Sequence, residues 1–595
     1  MMMKMGPAFM GRAATTSAQR TVNAARLPKQ SEYIKSFLST APSNRFVRLE
    51  RSKIDMNTTT YPTPGRGHDF QMNIFGLIYS TKDINALQEC IWDVTSFLPR
   101  QPAKKLPNDT PLSDLSDIAS RMAVTLQDGS EPGLLAKNEL RSTVAKTLNE
   151  THFKTTMNLL QSFKLESDPN KKQELGQQIS NVAFWSQWLI RGVLFEGKLH
   201  WENFCEDAIR EPLSKIAFAA NAALGRHQIE FVYDDYTLKA ATFPANLGSV
   251  DYDSPQSIID TVARIDTPVG FLSMKGGSPE HNFRHIHSLM EYQMKIAFRG
   301  GESILNGDYT GWKDLVEAAK RANRVFHTML HNTPPHSYPM IRLPIKGVRG
   351  ATGSVYHPHG VFYEGAGSDY YVSGDGSPLK GVYVDDEWGQ TGANSSMYKW
   401  FDMFCGVAQA RHAYSVDPTS LTKMAAVFDG KIDSGELGDN PIDSMQRAFD
   451  LFTRPPLHMR ILVETFQRLQ LNEVLQSTDP NVLLERLRLA YWVADHRMTH
   501  GRYVLASIYQ TEPVGGQSRS AGTGGSTPPF LKVFLDQTLQ PARAFIIELL
   551  MQQDQLTASE LEEVTWYNHI FDEYEAGMEK VKSRGQKLEF EEKIA

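Results

Sequence analysis

From residue 83 to 98 and again from 134 to 161, apolar side chains recur every three and four positions, which gathers them on one face of an α-helix. The same period returns at 172–192, 201–224, 312–330, 397–411, 441–452, 459–475, 482–509 and 529–553. A chain patterned this way must bury helix against helix, so the expected fold class is mainly α. Only 228–243 alternates, and it predicts a β-hairpin. The Pro- and Lys-rich stretch 99–114 reads as a loop, and 333–396, rich in Gly, Pro, Tyr and Asp, as long loops over a site. There is no internal repeat.

At 595 residues the chain exceeds one ordinary core. The Pro/Gly/Asp-rich stretch 244–277 is the natural boundary. The expected division is an arm at 1–45, a smaller and mostly helical domain at 46–270, and a large helical domain at 271–595. The arm carries Lys4, Arg12, Arg20, Arg26 and Lys29 with no acid before Glu32, a composition that fits an organelle transit peptide or a disordered segment. The net charge of −6, without a basic run beyond that arm, argues against a nucleic-acid partner. Cys90, Cys205 and Cys405 are an odd, widely spaced set, expected of a reducing compartment without disulfides or a thiolate zinc site. No apolar run reaches membrane-spanning length. The expectation is a soluble cytoplasmic protein, mitochondrial if the basic arm is a transit peptide.

Two separated segments carry chemistry. In 280–295, Phe283, His287, Glu291 and Lys295 stand four residues apart, a stripe that would aim an aromatic ring and an imidazole into one pocket. His281, His285 and His287 on such a helix could equally face solvent. The second is Arg-Met-Thr-His at 497–500, which follows an apolar, aromatic helical stretch. A buried helix offering one neutral imidazole is what an axial haem ligand requires, and His500 occupies that place. Arg497 could pair with a haem propionate. His496, four residues before His500, leaves a zinc pair open, but no third histidine follows and Asp495 is wrongly spaced to complete the set. Ala-Gly-Thr-Gly-Gly-Ser at 521–526 is a glycine-rich segment before a helix, in which Thr523 offers a hydroxyl beside the close backbone approach allowed at Gly524. It lacks the lysine of a phosphate loop.

Taken in order, these segments resemble the tryptophan/indoleamine 2,3-dioxygenase superfamily of haem enzymes, over roughly residues 275–550. The stretch 280–296 is similar to the distal helix of the tryptophan branch. On that match Phe283 is the pocket aromatic and His287 the distal histidine that bonds the indole nitrogen. Residues 324–332 and 337–350 resemble instead the indoleamine branch, where Arg342 falls on the arginine that holds the substrate carboxylate. Ser337 and Tyr338 replace two pocket phenylalanines of that branch, which implies a more polar cavity. Residues 389–407 are similar to a Gly-Ser run over the distal haem face, with Thr391 keeping the hydroxyl. Arg-Pro-Pro-Leu-His-Met-Arg at 454–460 matches a further turn. Thr523 then corresponds to a threonine that contacts the substrate ammonium.

The resemblance implies a haem b cofactor held by His500 and Arg497. It also implies O2 and an indole amino acid as substrates, and ring opening to an N-formylkynurenine-type product. His287, Arg342 and Thr523 would act on the substrate, with Phe283, Ser337, Tyr338, Thr391 and Gly524 lining it. Two alternatives stay open within haem chemistry. One is a divergent member, of the monodechloroaminopyrrolnitrin synthase kind, that hydroxylates or rearranges a tryptophan derivative. The other is a haem-binding protein without catalysis. Oligomeric state is left open by the sequence.

Overall fold

The helical period is punctuated by side chains that satisfy the first free N–H groups of each helix. Ser80 and Asp83 form a capping box at the start of Thr81–Ile91. Asp168 accepts from Asn170 and Lys171 before Pro169–Leu199. Ser278 caps Pro279–Glu291, and Asp479 caps Pro480–Val504, both with proline in the first helical turn. The computed structural model describes residues 71–126, 129–200, 208–226, 233–345, 361–366, 370–372, 378–384, 395–407, 454–471, 474–511 and 528–594. Within them the protein is mainly helical, as the apolar period requires.

Pro169–Leu199 is buried on nearly every side from Gly176 to Glu196, with Trp185 and Trp188 fully enclosed, so other elements wrap around it. Trp188 stacks on Phe271 with ring centroids 4.5 Å apart, and Phe97 packs edge-on against Phe298 and Trp400. Residues from both sides of position 270 therefore share one core. Sheet is minor. Gln71–Ile74 and Leu77–Ser80 pair across a two-residue turn whose Phe75 and Gly76 both have positive φ, 50° and 91°. Ala208–Ile209 runs parallel to Val361–Glu364, which pairs antiparallel with Pro378–Val384. No helix among the described residues is long and apolar enough to cross a membrane.

Several expectations change. The 134–161 pattern divides into Leu134–Lys137, Leu140–Thr147 and Glu150–Leu165. In place of a hairpin, the described part of 228–243 carries a π-helix, Asp235–Lys239. Its alternating pattern reports burial on all sides, not the two faces of a strand. The 333–396 span contains the helix Tyr338–Ile345 and strands, where plain loop was expected. The 37-residue helix Ala558–Ile594 has no counterpart in the sequence reading. The 441–452 segment lies outside the described residues.

The Pro480–Val504 helix is fixed from two sides through Asp495. This carboxylate accepts from Asn323 and from His327 Nε2 (2.9 Å), both on Gly311–His327, and from the Tyr574 hydroxyl of the C-terminal helix. Burial alone would raise its pKa, but these three donors hold it below the ordinary Asp range. A carboxylate depressed on folding adds stability above its unfolded pKa and loses it as pH falls through the folded value. Tyr574→Phe is therefore expected to lower unfolding free energy by about 2 kcal/mol at pH 7. In urea titrations that deficit should shrink as the pH is taken toward 2, and a deficit independent of pH would contradict the assignment.

Candidate functional site

The helix Pro279–Glu291 presents two working faces. On one, the Glu280 carboxylate accepts from the N–H groups of Phe271, Leu272 and Ser273 (2.7–2.9 Å), and His281 Nε2 meets the Ile265 carbonyl at 2.8 Å. Arg284 donates to Val269 O and Thr267 Oγ1, and His285 Nδ1 lies 3.2 Å from Ser288 Oγ. The other face carries Phe283, His287 and Glu291. All three histidines are buried, so the solvent-facing alternative is excluded. The four-member stripe is not continuous either. The helix ends at Glu291, a new one starts at Met294, and Lys295 is exposed over its neighbour Tyr292.

His287 Nδ1 lies 2.7 Å from the Phe283 carbonyl. A carbonyl can only accept, so Nδ1 carries the proton and Nε2 keeps its lone pair for the pocket. Burial pushes this imidazole down to about 4, and His281 down to about 4 as well, so both are neutral near pH 7. The sign for stability follows. Between the ordinary value near 6.5 and about 4, the unfolded chain binds protons that the folded protein refuses. Unfolding free energy is expected to fall by about 1.4 kcal/mol per pH unit per histidine below pH 6.5. Chemical denaturation at pH 7.5, 6.0 and 5.0 reads this directly, and His287→Gln should reduce the slope by one histidine's share.

Gly311–His327 packs against this helix and also against Pro480–Val504, which carries His496 and His500. Burial first, then the positive charge His287 would carry, lowers His500 to about 4. His500 has no hydrogen-bond partner among the described residues, and it keeps partial exposure deep in the fold. Phe326, from Gly311–His327, joins the groups: its ring centroid is 6.1 Å from His287, 6.1 Å from His500, 4.6 Å from His496 and 6.4 Å from Tyr503. His287 and His500 are thus separated by at most twice 6.1 Å.

His496 and His500 rings are parallel within 4° and 6.3 Å apart, while His496 stacks on Tyr398 at 3.9 Å. Parallel rings at that spacing do not converge on one ion. No group of three or more His, Cys, Asp or Glu among the described residues is placed to hold a metal. Glu291 is occupied. It accepts from the Tyr233 hydroxyl at 3.1 Å, from Ser395 and from the Met397 N–H, and burial still raises its carboxyl to about 7.

Phe283 contacts both His287 (4.9 Å) and Tyr338 (5.3 Å), which makes one aromatic wall. Tyr338 opens the helix Tyr338–Ile345, and Arg342 is buried one turn later. The Ser337 hydroxyl donates to the Pro334 carbonyl at 2.7 Å, which leaves its oxygen able to accept. Arg497 is held by Asp402 (2.7 and 2.8 Å) and by the Phe534 carbonyl (2.6 Å), so another anion there must compete with Asp402. Thr391, Thr523 and Gly524 lie outside the described residues.

Sequence reasoning missed Phe326, Tyr398, Tyr503 and Tyr233. The first three stand inside or beside the singled-out segments, and helical spacing from His500 marks Tyr503. Tyr233 sits in the stretch read as a hairpin and carried no signal. No protein-family model matches this chain, and no curated protein matches it.

Proposed function

We propose that this protein is a haem-dependent dioxygenase that inserts O2 into the indole ring of tryptophan or a related indole amino acid. The observation that carries the reading is the pair of neutral imidazoles. Among the described residues His500 is without a hydrogen-bond partner, and His287, whose ring like that of His500 lies 6.1 Å from Phe326, has its Nε2 lone pair available. A neutral, buried, unpartnered imidazole fits an axial iron ligand. When bound, haem supplies the activation of O2, with both oxygen atoms entering an N-formylkynurenine-type product.

The chain's own residues do the rest. His287 Nε2 accepts the indole N–H, a role its tautomer suits because an indole nitrogen can only donate. Phe283 and Tyr338 flank the ring. Arg342 supplies a buried guanidinium whose planar fork suits a carboxylate. Thr523 and Thr391 complete the grip on the resemblance alone. Holding the substrate at both ends fixes the ring for reaction.

The Tyr338 hydroxyl favours a second reading, hydroxylation or rearrangement of a more polar tryptophan derivative. Haem titration followed by turnover with labelled O2 separates them. A Soret band and two labelled atoms in one ring-opened product are expected. One labelled atom would favour hydroxylation, a band without product a non-catalytic haem protein, and a colourless protein would overturn the proposal.

A further inference from the structure

Two π-helical turns are described in this protein, Asp235–Lys239 and Leu505–Tyr509, and such turns are rare and concentrate at functional sites. Both deliver hydroxyls to one place. Tyr236 comes from the first and Ser507 from the second. Tyr503, one turn before Ser507, packs against Tyr338 with ring centroids 5.4 Å apart. Tyr503 and Ser507 are only 4% and 1% exposed; their hydroxyls interact with each other, and neither reaches hydrogen-bonding geometry with any further described residue. Two buried hydroxyls that have only each other leave hydrogen-bonding capacity unused in the interior, which is costly, so the arrangement suits an occupant.

The surroundings select its chemistry. Around Tyr503 the interacting groups are Tyr338, Ser507 and Tyr236, none of them an acid or a base, and burial keeps its phenol protonated. The charges that act on Tyr236 are committed: Glu280 to three backbone N–H groups, Arg284 to Val269 O and Thr267. Donors without a counter-charge suit a neutral acceptor better than an ion, which would lose its hydration uncompensated. Tyr338 ties the place to the Phe283–His287 wall.

We infer that Tyr503 and Ser507, with Tyr236 and Tyr338, form a subsite that hydrogen-bonds a neutral oxygen carried on the ring of the bound ligand, so that the preferred substrate is an oxygen-substituted indole amino acid. This rests on the reading that an indole amino acid occupies the pocket. The subsite discriminates by leaving its hydroxyls unpaired when the oxygen is missing.

Calorimetric titration of the full-length, haem-loaded protein with L-tryptophan, 5-hydroxy-L-tryptophan and 6-hydroxy-L-tryptophan tests it. One hydroxylated probe is expected to bind roughly tenfold more tightly than tryptophan. The Tyr503→Phe/Ser507→Ala variant should lose that preference while binding tryptophan as before. Thermal melting of the ligand-free variant should change little, since among the described residues the internal contact removed is the one between the two hydroxyls themselves. A preference that survives in the variant, or tryptophan binding at least as tightly as both probes, would overturn the subsite and leave the dioxygenase reading intact. No binding of any probe by the wild-type protein would overturn both.

Discussion

Replacing His500 with alanine is expected to abolish the Soret band of protein reconstituted with haem, with affinity lowered by at least roughly 100-fold, more than loss of a supporting group around a metal ordinarily produces. His500 is the imidazole to test because it has no competing hydrogen-bond partner among the described residues, whereas His496 is stacked on Tyr398 at 3.9 Å. His496→Ala is expected to keep the band. His287→Ala should keep it too, while weakening tryptophan binding by about tenfold, the worth of one unpaired indole N–H. Imidazole added to the His500→Ala protein should restore part of the absorbance, because the cavity left by the side chain admits the free ligand. A band of full intensity in His500→Ala would end the assignment. If His496→Ala lost it instead, the axial role would pass one turn back along the same helix.

The largest effect on stability is expected at Arg226. Its guanidinium grips Asp235 with both terminal nitrogens, the second at 2.9 Å, and the two side chains are 4% and 1% exposed. Asp235 opens the π-helix that carries Tyr236, and Tyr233 and Asp234 precede it directly. Arg226→Met strands a buried carboxylate and is expected to cost about 3–5 kcal/mol of unfolding free energy. The paired change Arg226→Met with Asp235→Leu removes both charges and should recover most of that loss. Denaturant titrations of the three variants decide it. If the double variant is no more stable than the single one, the charge pair is not the origin of the loss, and packing around the π turn is. Because Tyr233 bonds Glu291 beside His287, the single variant should also disturb the pocket.

Much of the fold was legible because its causes are local. Helix starts at Ser278–Pro279 and Asp479–Pro480 follow from residues that cap and residues that fix φ. The placement of Phe283 and His287 on one side of their helix follows from a spacing of four. The failures share a cause as well. Lys295 falls off the stripe because the helix stops at Glu291, whose side chain is drawn to Tyr233, Ser395 and Met397 on other elements. The 228–243 segment alternates in sequence yet is wound as a π-helix where described, since contacts on all sides removed the meaning of alternation.

By itself the sequence determined the helical class, most of the long helices, and two imidazoles more than two hundred residues apart that suit a shared site. Periodicity and caps act within a few residues, so they can be read along the chain. Only the tertiary structure decided that Phe326 would lie near both imidazoles, that Arg497 would bind Asp402, that both histidines would be neutral, and that the Tyr503 and Ser507 hydroxyls would be enclosed together. Each of these depends on which helix faces meet and on how much water their meeting removes, and neither quantity is written in the neighbourhood of any one residue.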